Sequence, residues 1–198
     1  MNLEDLKKKN KTELIEISRK YKIDTKHKTK KEIIEEIIDK YYQKKKSKYT
    51  QINQLGKSGK EGTVYLVQHR KKKYALKQFR NHKVPRNIQK EAEIQQKCAK
   101  HGISPKIKEI NLYCKYIVMD KMDYSLLDLI KKYTGRIPKK YQQEIIKIIS
   151  ILDKIKVFHG DPNPSNFMIK DKRLYLIDYE FAKKINDKLI EKHGTKEP

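Results

Sequence analysis

The chain has 198 residues, with 49 Lys+Arg against 25 Asp+Glu, a formal net charge of +24. That length suits one ordinary domain, or a small one with a helical appendage. Hydrophobic residues make up 36% and charged residues 37%, so a core is possible under an unusually charged surface. The aliphatic runs, such as Ile148-Ile149, are far too short to span a membrane. Cys98 and Cys114 are the only cysteines; they cannot form a zinc site, and they argue against a disulfide framework. The N-terminus, MNLEDLKKKN, has no apolar signal core. An intracellular protein is expected, cytoplasmic or nuclear, within a host cell if the chain is viral, and no membrane partner. Most of the cations are Lys, a hydrated point charge with little bidentate readout, so the charge predicts salt-dependent attraction to anions first.

Residues 1–43 read as a two-helix unit. Asn10 with Glu13, and Thr29 with Glu32, have capping-box spacing. Leu14, Ile15, Ile17 and Tyr21 give one amphipathic helix. Ile33, Ile34, Ile37, Ile38, Tyr41 and Tyr42 give a longer one, with Ile23 plugging the pair. The stretch KTELIEISRKYKIDTKHKTKKEIIEEII is similar to two-helix nucleic-acid-binding modules of the SAP type and to the N-terminal module of the terminator Rho. Non-specific nucleic-acid contact through residues 1–49 is therefore expected. Lys7, Lys8, Lys9, Lys26, Lys28, Lys30 and Lys31 would supply phosphate contacts. A solubilising or partner-docking helical hairpin is the competing reading. Residues 44–49, KKKSKY, read as a linker, because like charges repel and nothing apolar anchors them.

From Thr50 the texture changes to strands. Gly56, Gly59 and Gly62 lie between two strand-like runs, and glycine lets backbone N–H groups approach an anion closely. The next strand, Lys72 to Phe79, places Ala75, Lys77 and Phe79 on one face. Asn87 to Lys100 has helical spacing, broken by Gly102 to Pro105. Leu112-Tyr113 and Tyr116 to Met119 read as strands, Tyr124 to Tyr133 as a short helix, and Pro138 to Lys156 as a long one. In that long helix Ile145, Ile148, Ile149, Leu152 and Ile155 form a core stripe, widened by Ile146 and Ile151.

The stretch His159 to Glu180, HGDPNPSNFMIKDKRLYLIDYE, carries three polar residues that packing does not explain: Asp161, Asn166 and Asp178. Two apolar runs, Phe167 to Ile169 and Leu174 to Ile177, read as a hairpin that brings Asp178 back beside Asn166. A carboxylate and an amide at a strand edge suit a hard cation, which prefers oxygen ligands and shares them with phosphates.

This constellation resembles the catalytic centre of the protein-kinase-like superfamily, whose pattern is an Asp, an Asn five residues on, and an Asp-Phe-Gly metal motif. Asp178-Tyr179-Glu180 stands at the last of these. His159-Gly160-Asp161 resembles the atypical RIO-type kinases and the small kinase of the KEOPS tRNA-modifying complex, as well as choline and aminoglycoside kinases. Gly59, Gly62 and Val64 fit the family glycine loop; Lys57 occupies the first glycine position, with Gly56 shifted by one. Tyr74-Ala75-Leu76-Lys77 resembles the family's Val-Ala-Ile-Lys.

The resemblance implies an α+β, minimal bilobal fold over residues 50–198. It has a five-stranded antiparallel N-lobe and a reduced helical C-lobe, since only 18 residues follow Glu180 and no activation segment is recognisable. It implies ATP and Mg²⁺ as cofactors. Gly56, Gly59, Gly62 and Lys77 would take the phosphates, and Val64 and Ala75 would cover the adenine. Met119 would be the gatekeeper, with Asp120 and Met122 in the hinge. Glu91 is the expected partner of Lys77, with Glu93 as second choice. Asn166 and Asp178 would hold metal, and Asp161 would position the acceptor hydroxyl. The leading function is a serine/threonine protein kinase with a protein substrate. A small-molecule kinase is one alternative, favoured by Gly160 and Glu180. An ATP-binding pseudokinase or ATPase associated with nucleic acid is the other, favoured by the charge and the irregular glycine loop.

Overall fold

The computed structural model describes residues 3–46, 48–132 and 135–186. The chain divides into two compact units, Met1–Thr50 and Gln51–Pro198.

The first unit contains α1 (Leu3–Lys8), α2 (Lys11–Lys20) and α3 (Lys30–Lys46). Three helices thus replace the expected two. Leu6 is fully buried and adds an apolar anchor ahead of the cap at Asn10. The Asn10 side chain accepts from the Glu13 N–H at 2.9 Å, and Glu13 accepts from the Asn10 N–H at 2.7 Å. Thr29 and Glu32 form the same reciprocal pair, at 2.7 and 3.3 Å. Two orphan donors are satisfied at each helix start. Leu6, Leu14, Ile33, Ile34, Ile37 and Ile38 make the core, with Ile23 packed against it. The lysine run at 44–46 continues α3 and is not the expected linker. Lysine is a good helix former, and cations are favourable at a helix C-terminus. Four of the lysines expected to meet phosphate are tied within the unit. Lys7 pairs with Glu4, Lys9 with Glu13 and Lys28 with Glu36, while Lys30 donates to the Lys7 carbonyl.

The second unit opens within β1 (Thr50–Leu55) and continues with β2 (Gly62–His69) and β3 (Lys72–Phe79). These precede α4 (Pro85–Lys100), β4 (Ile107–Asn111) and β5 (Tyr116–Asp120). The five strands form one antiparallel sheet in the order β1-β2-β3-β5-β4, the α+β arrangement expected. Helix α4 opens on Pro85, whose missing N–H costs nothing at a first helical turn. Its Ile88 and Ala92 bury against Ala75, Phe79, Ile117 and Met119 of the sheet. The strand expected at Leu112-Tyr113 is a turn. Asn111 Oδ1 captures the Cys114 N–H at 2.8 Å and Lys115 adopts φ +52, which reverses the chain before β5.

The remainder comprises β6 (Tyr124–Ser125), α5 (Leu126–Lys132), α6 (Lys139–Lys154), β7 (Val157–Phe158), β8 (Phe167–Lys170), β9 (Arg173–Leu176) and β10 (Lys183–Lys184). The expected helix from Tyr124 starts at Leu126, because Tyr124 and Ser125 pair with β8 and Ser125 caps through Asp128. Its expected end at Tyr133 lies outside the described residues. The β8–β9 hairpin turns through Asp171 and Lys172, both at positive φ, the requirement of a tight type I′ turn. Ile148 and Leu152 of α6 are buried with Phe167, Ile169, Leu174 and Leu176 of the hairpin. Ile145, Ile149 and Ile151 pack at the edge, but Ile146 is 68% exposed and does not widen the stripe. No helix among the described residues is long and apolar enough to cross a membrane.

Candidate active site

The glycine loop sits between β1 and β2. Gly56 has φ +70, and the Gly59 N–H donates to the Gly62 carbonyl at 2.9 Å. At Gly62 a Cβ would lie 2.4 Å from the Gln78 carbonyl oxygen, so only glycine lets β2 begin pairing there. Val64 lies opposite Lys77 across the ladder, and Ala75 lies opposite Met119. Met119 is buried among the contacts between the sheet and α4. Asp120 closes β5 and pairs with Lys108 at 3.0 Å, and Met122 is buried just beyond it.

Lys77 is the hub. Its Nζ lies 2.6 Å from Glu91 Oε1 and 2.9 Å from Asp178 Oδ1, and 5.1 Å from the centre of the Phe79 ring. Glu91 is therefore its partner; Glu93, the second choice, is exposed and bonded by Gln89. Burial acts to depress the Lys77 ammonium, but attraction to Glu91 and then Asp178 outweighs it, so its pKa lies above the ordinary value. Burial pushes Glu91 the other way, toward its neutral form, against the pull of Lys77. The balance differs because Lys77 bonds two anions, whereas Glu91 bonds one cation, feels the like charge of Asp178 and leaves Oε2 buried without a hydrogen bond. We take the pair as ionised at neutral pH, with Lys77 firmly protonated.

The turn after β7 holds the second half of the site. His159 is buried, with its ring edge-on to Tyr179 at 4.9 Å. Its Nε2 lies 3.0 Å from the Ile177 carbonyl, and its Nδ1 accepts the Asp161 N–H at 3.3 Å. That pattern assigns the neutral tautomer with the proton on Nε2, and burial lowers the histidine pKa accordingly. Gly160 has φ +89, and a Cβ there would meet Phe181 Cβ and O at 2.8 Å. Asp161 Oδ1 accepts from Asn163 at 2.9 Å, and Oδ2 from Asn166 at 3.1 Å. Its carboxylate is thus fixed by two amides.

Asn166 and Asp178 meet at the open end of the hairpin, where the Ile177 N–H donates to the Asn166 carbonyl at 2.9 Å. Asn166 uses Nδ2 on both the main-chain carbonyl and the carboxylate of Asp161, which turns Oδ1 away from them. Asp178 holds φ +65, an uncommon conformation for a side-chain-bearing residue, and its side chain stays 42% exposed. One amide oxygen and one carboxylate fit Mg²⁺ only if phosphates complete the shell. Among the described residues no cluster of three or more His, Cys, Asp and Glu could hold a metal alone.

A family profile described as the protein kinase domain matches residues 49–197. The chain belongs to the protein kinase domain family. Membership implies ATP, typically with Mg²⁺. The chain is 30% identical over 132 residues to a probable bifunctional tRNA threonylcarbamoyladenosine biosynthesis protein of Methanosphaera stadtmanae. The match covers 66% of this chain and 24% of that protein, so the kinase chain spans about a quarter of the relative's length. A crystal structure described as a kinase domain superposes with a TM-score of 0.61 at 22% identity, covering 71% of this chain and 53% of the other. That likeness establishes the minimal kinase fold.

All three polar residues singled out after β7, together with Lys77 and Glu91, fall in one hydrogen-bonded region. Sequence reasoning missed Asn163, which orients Asp161, and Lys83, which bonds both Glu61 and Glu180. Asn163 lies two residues from Asp161 in a turn, a spacing that favours such a contact. Lys83 carries no local signal in a chain this rich in lysine.

Proposed function

We propose that the chain is a Mg²⁺-assisted, ATP-dependent kinase that phosphorylates a serine or threonine hydroxyl of a protein. The observation that supports it most is Lys77 held between Glu91 and Asp178, at 2.6 and 2.9 Å. A protonated, immobilised amine beside a carboxylate that faces solvent is what positions a polyphosphate. The glycine loop then offers backbone N–H groups to the same phosphates. Asp161, clamped by Asn163 and Asn166, would accept the hydrogen bond of an incoming hydroxyl and take its proton as transfer proceeds. Mg²⁺ between Asn166 and Asp178 would neutralise phosphate charge. Such catalysis rests mainly on positioning and charge compensation.

The similarity to a tRNA threonylcarbamoyladenosine biosynthesis protein supports a second reading, in which ATP turnover serves a tRNA-modifying assembly and protein phosphorylation is secondary. Incubation of the full chain with γ-labelled ATP and, separately, a protein, tRNA and small alcohols distinguishes the two. Label in the protein supports the first reading. Phosphate release stimulated by tRNA, with no labelled acceptor, supports the second.

A further inference from the structure

We propose that Lys83 is a positioning residue that clasps the glycine loop to the Asp178 loop and so holds both in working register. This rests on the kinase reading above. Lys83 lies in the connection between β3 and α4, yet its side chain is only 7% exposed. Long lysine side chains in loops normally reach water. This one turns inward and ends between two carboxylates, Glu61 Oε2 at 2.8 Å and Glu180 Oε1 at 2.9 Å. Its Nζ also stands 6.0 Å from the centre of the Phe79 ring, which Lys77 approaches to 5.1 Å.

The two carboxylates come from distant parts of the site. Glu61 belongs to the glycine loop, directly before Gly62, and its carbonyl accepts the Arg80 N–H at 2.9 Å. Glu180 comes two residues after Asp178. One buried ammonium therefore joins the phosphate loop, the lead-in to α4 and the metal loop. The segment leading from Lys83 runs straight into the helix that supplies Glu91. Displacing any of the three would separate a buried cation from its anions, a costly change in a poorly hydrated site. Hydrogen bonds donated by Lys83 to Glu61 and Glu180 overcome the burial that acts to depress it, and its pKa lies above the ordinary value.

The clasp also gives Glu180 a role. It stands where the family motif has glycine, a residue that would leave the loop free to change conformation. Here the loop is tied by a charged contact built from the chain's own residues.

The test compares the full-length wild type with Lys83→Met, Lys83→Arg, Glu180→Gln and the Lys83→Met/Glu180→Gln double variant. Transfer kinetics are combined with hydrogen exchange. Lys83→Met is expected to lower kcat/KM for ATP by about 30- to 100-fold, at the scale of a misplaced catalytic frame. Lys83→Arg should recover most of it. Glu180→Gln should lose little further activity once Lys83 is gone, because coupled residues are not additive. Amides of 56–63 and of 178–182 should exchange faster together in Lys83→Met. Additive losses, or faster exchange confined to 80–86, would overturn the clasp. Should the wild type transfer phosphate to no acceptor, the kinase reading fails; joint exchange of the two loops then still decides the clasp on its own.

Discussion

Gly160→Ala probes the turn that separates His159 from Asp161. At φ +89 a residue with a Cβ is in the left-handed half of conformational space, which costs about 1–2 kcal/mol. The new Cβ would also lie 2.8 Å from both Phe181 Cβ and Phe181 O, where overpacking costs about 1–3 kcal/mol. Phe181 is 58% exposed, so its ring can swing out, but its carbonyl moves only with the backbone. A loss near 3 kcal/mol follows, about 6–12 °C in Tm for a chain of this size. The damage to transfer should be larger than the damage to folding. Asp161 follows Gly160, and Phe181 follows the Asp178 loop, so relieving the contact spreads the two carboxylates apart. A displacement near 1 Å costs about 100-fold in rate. Calorimetry on the full chain reads the Tm of the second unit, and labelled-ATP transfer at 20 °C, with both proteins folded, reads the site. Phe181→Gly should soften the effect of Gly160→Ala by removing one of the two contacts. A Gly160→Ala protein that melts within about 1 °C of wild type and transfers normally would refute the reasoning.

Lys77→Met should lower transfer by about 100- to 1000-fold, the scale set by loss of one preorganised electrostatic contact, as measured by initial rates at saturating ATP. His159 gives a pH signature: its folded pKa is depressed below 6.5 by burial, so the unfolded chain binds more protons as pH falls through that window. Stability from this group is full above pH 6.5 and is lost on acidification toward the folded pKa; thermal melts from pH 5 to 7 should show that slope, and His159→Gln should flatten it. The first unit, with 16 Lys+Arg against 9 Asp+Glu over residues 1–49, should give the chain weak, sequence-independent nucleic-acid binding that falls with salt. Replacing the exposed Lys26 and Lys31 by Gln should reduce the log–log salt slope by about 2, at roughly 0.9 per phosphate contact; an unchanged slope would point to docking on a protein instead.

Much of this site was legible because its spacings are short or periodic. Asp161 and Asn166 are five residues apart in one turn, and a two-residue reversal at Asp171-Lys172 fixes where Asp178 returns. Strand alternation alone put Lys77 and Ala75 on one face, while the family resemblance, not periodicity, pointed to Glu91, which α4 buries. The misreadings have local causes. Ile146 belongs to an isoleucine-rich run in which helical phase, not residue type, separates core from solvent. Leu112-Tyr113 looked like a strand because side-chain capture of a backbone N–H by Asn111 leaves no trace in an apolar pattern.

What stayed illegible was Lys83; Lys77 was already marked by its strand face and by the glycine loop ahead of it. Composition assigns every lysine to the same solvated surface, yet Lys83 is buried and Lys77 nearly so, and each meets two carboxylates. The distinction arises only when separate segments converge: Glu61, Lys83 and Glu180 span the second unit in sequence and meet at hydrogen-bond distance. Both ammonium groups lie near the ring of Phe79, one bonded to Asp178 and the other to Glu180, two residues on. A high surface charge therefore coexists with two specific interior charges. The salt sensitivity of the two populations should differ, because exposed contacts are screened within a Debye length and buried pairs far less. Nucleic-acid attraction should fade at an ionic strength that leaves ATP transfer intact, which separates the chain's general electrostatics from those of its active site.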